Sequence, residues 1–380
     1  AKGEVFSYNT ITRNSMKNSI TLSEDEVKEL LDQKTPYVIR FKIPVDELVH
    51  TEDIIRGKSA IQTHTLDDKV LVKNDGMPTY HFANIVDDHE MEITHVIRGE
   101  EWLPSLPLHL LLYKALGWEA PEFAHLSLIL KPEGKGKLGK RDGAKLGFPV
   151  FPLNFTEKET GITSKGYREE GYLPEAFMNM IALLGWSPAN DKEILTLEEM
   201  AAEFDLNKVH KAGARFSKEK AEWFNHQYLQ KKNSQELLEL FTKEFGNFNM
   251  EDQKLIQIID LMKERATFVK DIYKEGVFFF EAPISYDEKA VKKAWNPETA
   301  EILGKLNSEL KNIENFDSEN IKEKIHEYVE TSGLGFGKVM MPLRLSLVGE
   351  LKGPEVPDLI EILGKTEVEQ RIQKAIEILK

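Results

Sequence analysis

The chain of 380 residues contains no cysteine. This absence excludes disulfides, iron–sulfur clusters and thiolate zinc sites, and it favours a protein of the cytoplasm. No apolar run approaches twenty residues and the start is not signal-like, so we expect no membrane partner. The ten histidines form no His-Glu-x-x-His pair, and G-x-x-x-x-G-K-[ST] and G-x-S-x-G are also absent. Metal hydrolases, P-loop kinases and serine hydrolases are therefore disfavoured.

One basic segment stands out in a protein whose net charge is −14. That charge argues against nucleic-acid binding over the whole surface, because binding to phosphates requires clustered lysine and arginine. Residues 130–147, "LKPEGKGKLGKRDGAKLG", nevertheless hold six basic side chains and five glycines. We call this segment the basic loop. Most such runs are solvated surface, so the neighbouring sequence has to decide its role.

The sequence before the basic loop mixes strand and helix patterns. "SEDEVKELLDQ" carries a capping box at Ser23 and Glu26, "PYVIRFKIP" alternates like a strand, and Asn74-Asp75-Gly76 is a tight turn after another strand. "MEITHVIRG" then predicts a buried strand, "LPLHLLLYKALGW" an apolar helix and "FAHLSLIL" a second strand. This order predicts a parallel βαβ unit whose strands end at the edge where α/β proteins bind ligands.

Beyond Gly185 the pattern becomes helical, with apolar residues at helical spacing and hardly a convincing strand. The fold class is therefore α/β followed by all-α.

Several side chains follow the ends of the predicted elements before the basic loop. Arg98 ends an apolar strand, where a guanidinium requires an anionic partner and offers two parallel hydrogen bonds to a carboxylate. An internal salt bridge is the alternative, and Trp102 fits the core equally well. Flexible lysines on a glycine-rich loop suit the neutralisation of a triphosphate as pyrophosphate leaves, which predicts a nucleotide.

These residues resemble a known family. "KLGKR" at 137–141, preceded by "LIL" after a βαβ unit, is similar to the lysine signature of class I aminoacyl-tRNA synthetases. "DGMPTYHFANIVDDHEMEITHVIRGEEW", "YREEGYLPEAFMNMIALLGWSP", "FDLNKVHKAGARFSKEKAEWFN" and "MMPLRLSLVG" resemble bacterial glutamyl-tRNA synthetases in order along the chain. The resemblance implies an incomplete Rossmann-like nucleotide-binding fold with an α-helical anticodon-binding domain. The helical end argues against a glutaminyl enzyme and against the short tRNA-modifying paralogue.

The resemblance also implies a reaction and its residues. Glutamate attacks the α-phosphate of ATP, which is accompanied by Mg²⁺, and the glutamyl group then passes to tRNA(Glu). No protein nucleophile is needed. No zinc site is expected in this chain. The resemblance implies that Tyr80, Asn84 and Arg98 bind glutamate. It implies that ATP is bound by Glu101, Trp102, Ile129, Leu130 and Lys140, with backbone groups of Ile129 and Leu130 reading adenine. It also implies that Lys137 and Lys140 stabilise the phosphates.

The implied domains run from an acceptor-binding insertion to an anticodon-binding end. They are the remainder of the insertion at 1–78, the second half of the nucleotide-binding fold at 79–144, a stem-contact region at 145–215 and the helical domain at 216–380. Arg344 and Val356 match positions beside an anticodon base, with helix packing as the alternative for both. The family suggests a monomer. Whether tRNA(Gln) is also charged stays open.

Three departures from the family pattern qualify these expectations. Gly139 replaces the usual serine of the signature, which predicts a tuned loop that keeps both lysines. Residues 145–165 are longer than the usual connection. No His-x-Gly-His signature is present and the chain starts at Ala1, so we expect about the first quarter of the pattern to be missing and this chain alone to be inactive. The alternatives are an inactive tRNA-binding fragment and an unrelated nucleotide enzyme.

Overall fold

The computed structural model describes residues 6–139, 142–189 and 191–379. The chain divides into two units, one of residues 1–146 and 178–217 and the other of residues 147–177 and 218–380. Each unit has its own buried core and is described separately.

Up to residue 217, short strands alternate with helices. The strands are β1 (Ile39–Arg40), β2 (Leu48–Asp53), β3 (Gly57–Gln62), β4 (Val70–Val72), β5 (His95–Gly99), β6 (Glu122–Leu126), β7 (Phe155–Thr156) and β8 (Thr163–Ser164). The helices are α1 (Glu24–Asp32), α2 (Tyr80–Glu90), α3 (Leu106–Leu116), α4 (Asp142–Leu146), α5 (Tyr167–Glu170), α6 (Pro174–Gly185) and α7 (Leu197–Glu203).

The predicted βαβ unit is confirmed as β5, α3 and β6. The two strands are parallel, with Val96 opposite Phe123 and Arg98 opposite His125. Their inner side chains pack against α2 and α3 in a core that includes Ile85, Leu108 and Leu112. Both strands therefore end at one edge, and the chain leaves β6 there towards the basic loop.

Two strand predictions need correction. We expected a buried strand at 91–99, but β5 begins only at His95 and Ile97 is 51% exposed, because nothing in the described residues covers that face of the strand. "PYVIRFKIP" contributes only Ile39 and Arg40, both exposed, which pair with β4 through an irregular register. Pro36 and Pro44 bound this segment, and proline cannot donate to a strand ladder.

The predicted helix cap and tight turn of the first unit are confirmed, and both depend on contacts between residues that are close in sequence. Ser23 and Glu26 form the predicted capping box at the start of α1. The turn at 74–76 closes with a hydrogen bond from the Gly76 N–H to the Lys73 carbonyl, and Gly76 has φ +82°, which glycine adopts without strain.

The second unit is helical from residue 218 onwards throughout its described residues, which confirms the predicted all-helical end. Its core includes Leu237, Ile259, Leu303 and Leu343, none of them exposed. The long connection at 145–165 carries the β7–β8 hairpin. The helices of this unit beyond residue 217 are α8 (Lys218–Lys231), α9 (Ser234–Phe245), α10 (Asp252–Lys263), α11 (Val269–Glu275), α12 (Glu288–Ala294), α13 (Thr299–Lys311), α14 (Ser318–Ser332), α15 (Phe336–Val348), α16 (Val356–Leu363) and α17 (Lys365–Ile378).

No helix among the described residues has the length and apolar character that crossing a membrane requires.

The packing of α3 on the sheet gives a stability prediction. Leu112 is 2% exposed within this core, whereas Leu116 on the same helix is 39% exposed. We expect Leu112→Ala to lower the free energy of unfolding by about 2–5 kcal/mol because it leaves a cavity, and Leu116→Ala to lower it by about 0.5 kcal/mol or less. Urea unfolding followed by tryptophan fluorescence measures both. Equal losses in the two variants would contradict this placement of α3.

Candidate active site

Arg98 lies at the carboxyl end of β5 and is held by two histidines. Its Nε donates to the Nε2 of His125 on β6 at 3.1 Å. Its two terminal nitrogens lie 3.4 and 3.3 Å from the Nδ1 of His109 on α3. In the part of the chain that the structure describes, no carboxylate lies at ion-pair distance from Arg98. The internal salt bridge that the sequence left open is therefore not formed there.

Both histidines have a further partner. The Nδ1 of His125 lies 2.6 Å from Asp53 Oδ2, at the end of β2, and that carboxylate also accepts the N–H groups of Ile55 and Arg56. The Nε2 of His109 lies 3.0 Å from the Nδ1 of His81 on α2. We call these five side chains, Asp53, His81, Arg98, His109 and His125, the Arg98 network. His109 and His125 are completely buried and Asp53 is 3% exposed.

The network keeps its histidines neutral. Burial, reinforced by the charge of Arg98, lowers the pKa of His109 to about 3. Burial also lowers the pKa of His81, with Lys69 and Arg98 adding to the effect, and it lowers the pKa of His125 although Asp53 opposes the change. Burial alone would raise the pKa of Asp53, but hydrogen bonds from Arg56 and His125 lower it overall. The positive charge of Arg98 therefore faces neutral imidazoles.

Two further residues predicted from the sequence, Tyr80 and Trp102, lie close to Arg98. The rings of Tyr80 and Trp102 are tilted against each other with centroids 4.5 Å apart. The Arg98 guanidinium lies 6.0 Å from the centroid of Trp102. Tyr80 is 46% exposed and Trp102 is half-buried, so neither is a plain core residue. Their faces and the guanidinium form one partly open surface.

Asn84 contributes a buried polar atom that has no partner among the described residues. Its Nδ2 donates to Asp88 Oδ2 at 3.0 Å, and the Tyr113 hydroxyl donates to the same oxygen at 3.4 Å. Burial raises the pKa of Asp88, with Arg98 opposing the change. The Oδ1 of Asn84 is buried and accepts no hydrogen bond within the described residues. A buried acceptor without a donor is costly, which suits a site that a ligand completes.

The basic loop folds back on the chain that precedes it. The Leu138 N–H donates to the Ile129 carbonyl at 2.8 Å, and Lys137 forms an ion pair with Glu101. This pair joins two of the predicted site residues. Lys140, a predicted catalytic residue, lies outside the described residues.

Gly139 occupies a position with room for a side chain. Its N–H donates to Asp142 Oδ2 at 2.7 Å, and an added Cβ would lie 3.1 Å from that oxygen. Asp142 is a flexible side chain that also pairs with Lys131 at 2.9 Å. The departure from serine is therefore not imposed by backbone geometry.

The backbone groups predicted to read adenine are partly engaged. The Leu130 N–H donates to the Ala214 carbonyl at 2.9 Å, and the Leu130 carbonyl accepts from Phe216 at 3.1 Å. Gly213 permits this approach, because a Cβ there would lie 2.7 Å from the Leu128 carbonyl oxygen. The Leu130 amide is thus occupied, whereas each carbonyl of Ile129 and Leu130 retains a second lone pair. The adenine contact stays a prediction for those carbonyls.

At the helical end, the two predicted tRNA contacts differ. Arg344 on α15 is half-buried and donates to the Pro354 carbonyl at 2.6 Å, and its burial lowers its pKa. Val356 begins α16 and is 1% exposed. The side chain packs in the core, which agrees with helix packing, the alternative stated for this position, and the tRNA contact stays a prediction.

The sequence reading missed Asp53, His81, His109 and His125. These histidines belong neither to a His-Glu-x-x-His pair nor to a His-x-Gly-His signature, the two histidine patterns that the sequence could have shown. One signal was present, since His109 interrupts an apolar helix at a core-facing position, "LPLHLLLY", where a polar side chain requires a buried partner. Their convergence on Arg98 depends on contacts between residues up to 72 positions apart.

The low pKa of His109 predicts a pH dependence of stability. The unfolded chain binds this proton near the ordinary histidine pKa of 6.5, so between pH 6.5 and about 3 it binds more protons than the folded protein. The contribution is therefore complete above pH 6.5 and is lost as pH falls. Between about pH 7 and pH 5, His109→Gln should reduce the loss of unfolding free energy by about 2 kcal/mol.

Urea unfolding at the two pH values measures this slope. His50→Gln, which replaces an exposed histidine, is the control and should leave the slope unchanged. An unchanged slope in His109→Gln would show that His109 titrates alike in the folded and unfolded chains.

Comparisons with known proteins agree along the whole chain. The family described as "tRNA synthetases class I (E and Q), catalytic domain" matches residues 4–223, and "Anticodon binding domain" matches residues 234–376. The glutamate–tRNA ligase of Christiangramia forsetii is 53% identical over all of this chain and 75% of that protein, and the one of Flavobacterium johnsoniae is 55% identical with the same coverage. The chain thus spans about three quarters of these relatives' length.

The solved structures that this chain resembles are also glutamate–tRNA ligases. The crystal structure of a glutamate tRNA ligase from Elizabethkingia meningosepticum in complex with its amino acid has a TM-score of 0.97 and 68% identity, covering all of this chain and 76% of that one. The glutamate–tRNA synthetase of Elizabethkingia anophelis has a TM-score of 0.93 and 66% identity over 99% of this chain and 75% of its own. The predicted family and fold class are confirmed, and the chain belongs to the glutamate–tRNA ligases, class I aminoacyl-tRNA synthetases with a helical anticodon-binding domain.

Proposed function

We propose that the Arg98 guanidinium binds the side-chain carboxylate of glutamate, while Asn84 and Tyr80 complete the amino-acid site. Glutamate–tRNA ligases are enzymes that join glutamate to tRNA with ATP. In this chain, the proposal assigns glutamate binding to Arg98, Asn84 and Tyr80. The observation that carries it is a half-buried guanidinium held by neutral imidazoles, with no carboxylate of the described chain beside it.

The reaction itself favours the γ-carboxylate as the partner of Arg98. An oxygen of the α-carboxylate forms the new bond to the α-phosphorus of ATP while the bond to the β-phosphate oxygen breaks and pyrophosphate leaves. A guanidinium clamped on that α-carboxylate would withdraw electron density from the attacking oxygen. Arginine has only donors, so at the γ position it donates to both carboxylate oxygens of glutamate but would face the N–H donors of a glutamine amide.

The ammonium group of glutamate then requires acceptors. The buried Oδ1 of Asn84 is such an acceptor and has no donor among the described residues. Tyr80, packed at a tilt against Trp102, supplies an aromatic wall and a hydroxyl. The related Elizabethkingia meningosepticum structure is a complex with its amino acid. That complex supports an amino-acid site in this fold.

ATP enters with Mg²⁺ as a substrate complex, beside the amino-acid site. Glu101 and Trp102, which follow β5, contact ATP. The carbonyls of Ile129 and Leu130, in the segment that follows β6, face its adenine. Lys137 and Lys140 neutralise the phosphates as charge develops on departing pyrophosphate. In the structure Lys137 is paired with Glu101, so ATP binding exchanges that ion pair for phosphate contacts.

The remaining assignments follow the predicted domains. Residues 1–78 contact the acceptor end of tRNA(Glu), 79–144 hold glutamate and ATP, 145–215 contact the stem and 216–380 bind the anticodon. Arg344 lies beside an anticodon base. The protein works as a cytoplasmic monomer.

The role of Arg98 is tested by glutamate affinity. Arg98→Lys keeps the charge but loses the planar pair of donors, so the dissociation constant for glutamate should rise about tenfold or more. Calorimetric titration of the protein with glutamate, and with glutamine for comparison, measures this. Arg168→Lys, at an exposed arginine, is the control. Unchanged glutamate affinity in Arg98→Lys would contradict the proposal.

The basic loop is tested by glutamate-dependent exchange of pyrophosphate into ATP, with and without tRNA(Glu). The absence of the His-x-Gly-His signature predicts little or no exchange by the chain alone. If the unmodified chain does exchange pyrophosphate, Lys140→Ala should lower the rate about 100-fold or more, because it removes a charge that acts in the transition state. Lys135→Ala, on the same loop, should change the rate little. Equal effects would show that the loop acts only through its net charge. Absence of exchange in the unmodified chain, with tRNA binding retained, would favour the tRNA-binding alternative.

Arg344 is tested by tRNA affinity. Arg344→Ala should weaken binding of tRNA(Glu) about tenfold, whereas Lys352→Ala, an exposed residue of the neighbouring loop, should have a smaller effect. Because Arg344 also holds the Pro354 carbonyl, the thermal midpoint is measured in parallel. A lower midpoint with unchanged tRNA affinity would assign Arg344 to helix packing alone.

A further inference from the structure

The Arg98 network places three imidazoles and a carboxylate around one guanidinium. His109 and His125 have no exposed surface, and Asp53 has almost none. Burying polar groups is unfavourable unless each finds a hydrogen-bond partner. The network satisfies them along one continuous path from Asp53 to His81, and Arg98 is the one residue in it with a proposed ligand contact.

The direction of each hydrogen bond in the first branch is fixed by Arg98. A guanidinium only donates, so the Nε2 of His125 at 3.1 Å accepts and carries no proton. The proton of this neutral ring is therefore on Nδ1, which donates to Asp53 Oδ2 at 2.6 Å. Asp53 is in turn held by the N–H groups of Ile55 and Arg56 at 3.0 and 2.7 Å.

The second branch follows the same rule. The Nδ1 of His109 accepts from the terminal nitrogens of Arg98, so the proton of His109 is on Nε2 and donates to the Nδ1 of His81 at 3.0 Å. His109 has one lone pair there, so at least one N–H of each terminal nitrogen is left for a ligand. The low pKa of His109, about 3, agrees with a ring that stays neutral.

We propose that His125 and His109 are positioning residues for Arg98, with Asp53 and His81 fixing their tautomers, so that the guanidinium is pre-oriented for the glutamate carboxylate. This inference rests on the proposed function of Arg98. A carboxylate in direct contact would also orient Arg98, but it would compete with the substrate for the same donors. Neutral imidazoles orient the guanidinium and leave its charge available, since Asp53 stands one ring away.

Asp53 connects the network to a hairpin that lies outside the βαβ unit. It ends β2, so the hairpin of β2 and β3 reaches the amino-acid site through His125. Other charged groups nearby are Asp88, whose pKa responds to Arg98, and Arg56 and Lys69, whose charges act on the pKa of His125 and His81. Each of these residues remains in place in the variants described below.

The tautomers are tested directly by NMR of protein labelled with ¹⁵N-histidine, near pH 7 and without glutamate. We expect His125 to carry its proton on Nδ1 and His109 on Nε2. Substitution of each histidine by glutamine assigns the signals. The opposite tautomer, or an imidazolium, at either position would overturn the inference whatever the protein binds.

Asp53→Asn tests the effect on the substrate. The introduced side-chain amide would donate to His125 Nδ1 and move the ring proton to Nε2, where it opposes the Arg98 Nε–H. A comparable exchange of a carboxylate for an amide gives the wrong tautomer in the serine protease triad. The dissociation constant for glutamate should rise about tenfold, the one for ATP should stay within about twofold, and the His125 signals should report the exchanged tautomer.

A double-mutant cycle separates positioning from general stability. The Oε1 of glutamine accepts from Arg98 without help from Asp53, so His125→Gln should retain more glutamate affinity than His125→Leu. Adding Asp53→Asn to His125→Gln should then weaken glutamate binding no further, because Asp53 acts through His125. His226→Gln, which removes a half-buried histidine bonded to the Ala266 carbonyl, is the control.

The outcomes distinguish this inference from the proposed function. Additive losses in the double mutant, or an exchanged tautomer with unchanged glutamate affinity, would overturn the positioning role and leave Arg98 as the carboxylate receptor. Glutamate affinity that is unaffected by Arg98→Lys would overturn the proposed function, and the positioning role with it.

Discussion

The site depends on how Arg98 is held. A guanidinium at the end of a strand has to be fixed in direction and still keep its charge for a ligand. The protein achieves this with two neutral imidazoles, each of which uses its second nitrogen on another member of the Arg98 network. The fold supplies these partners from β2, α2, α3, β5 and β6. The packing of the βαβ unit therefore also sets the geometry of the proposed amino-acid site.

This arrangement matches the chemistry of the family. Formation of an acyl adenylate needs no nucleophile from the protein, so the enzyme contributes orientation and electrostatics. Fixed charge is required where the substrate carboxylate rests, and movable charge where pyrophosphate leaves. Arg98 is held by the buried His109 and His125, whereas Lys135 and Lys137 of the basic loop are exposed and have glycine neighbours. In the proposed function, the two kinds of positive charge are thus placed according to when each one acts.

The sequence predicted features that depend on neighbouring residues. The capping box at Ser23, the turn at Gly76 and the βαβ order each follow from spacing and from the preferences of single residue types. The resemblance to the synthetase family added the roles of Arg98, Tyr80, Trp102 and the loop lysines. Of these, the structure brings Tyr80, Arg98 and Trp102 together.

What the sequence did not predict depends on contacts between distant residues. The partnership of Asp53 and His125 joins a hairpin to a strand 72 positions away, and no local pattern encodes it. The exposure of Ile97 likewise depends on what covers β5, which an apolar run does not reveal. Val356 matched a functional position by alignment of motifs, yet its burial depends on how α16 packs. Burial and tautomer are properties of the assembled fold.

The most direct measurement is a crystal structure of this protein soaked with glutamate. The account predicts the γ-carboxylate on the terminal nitrogens of Arg98 and the ammonium on Asn84 Oδ1, with the contacts of Arg98 to His109 and His125 unchanged. Glutamate bound away from Arg98, or an Arg98 side chain that leaves both histidines to reach its ligand, would contradict it.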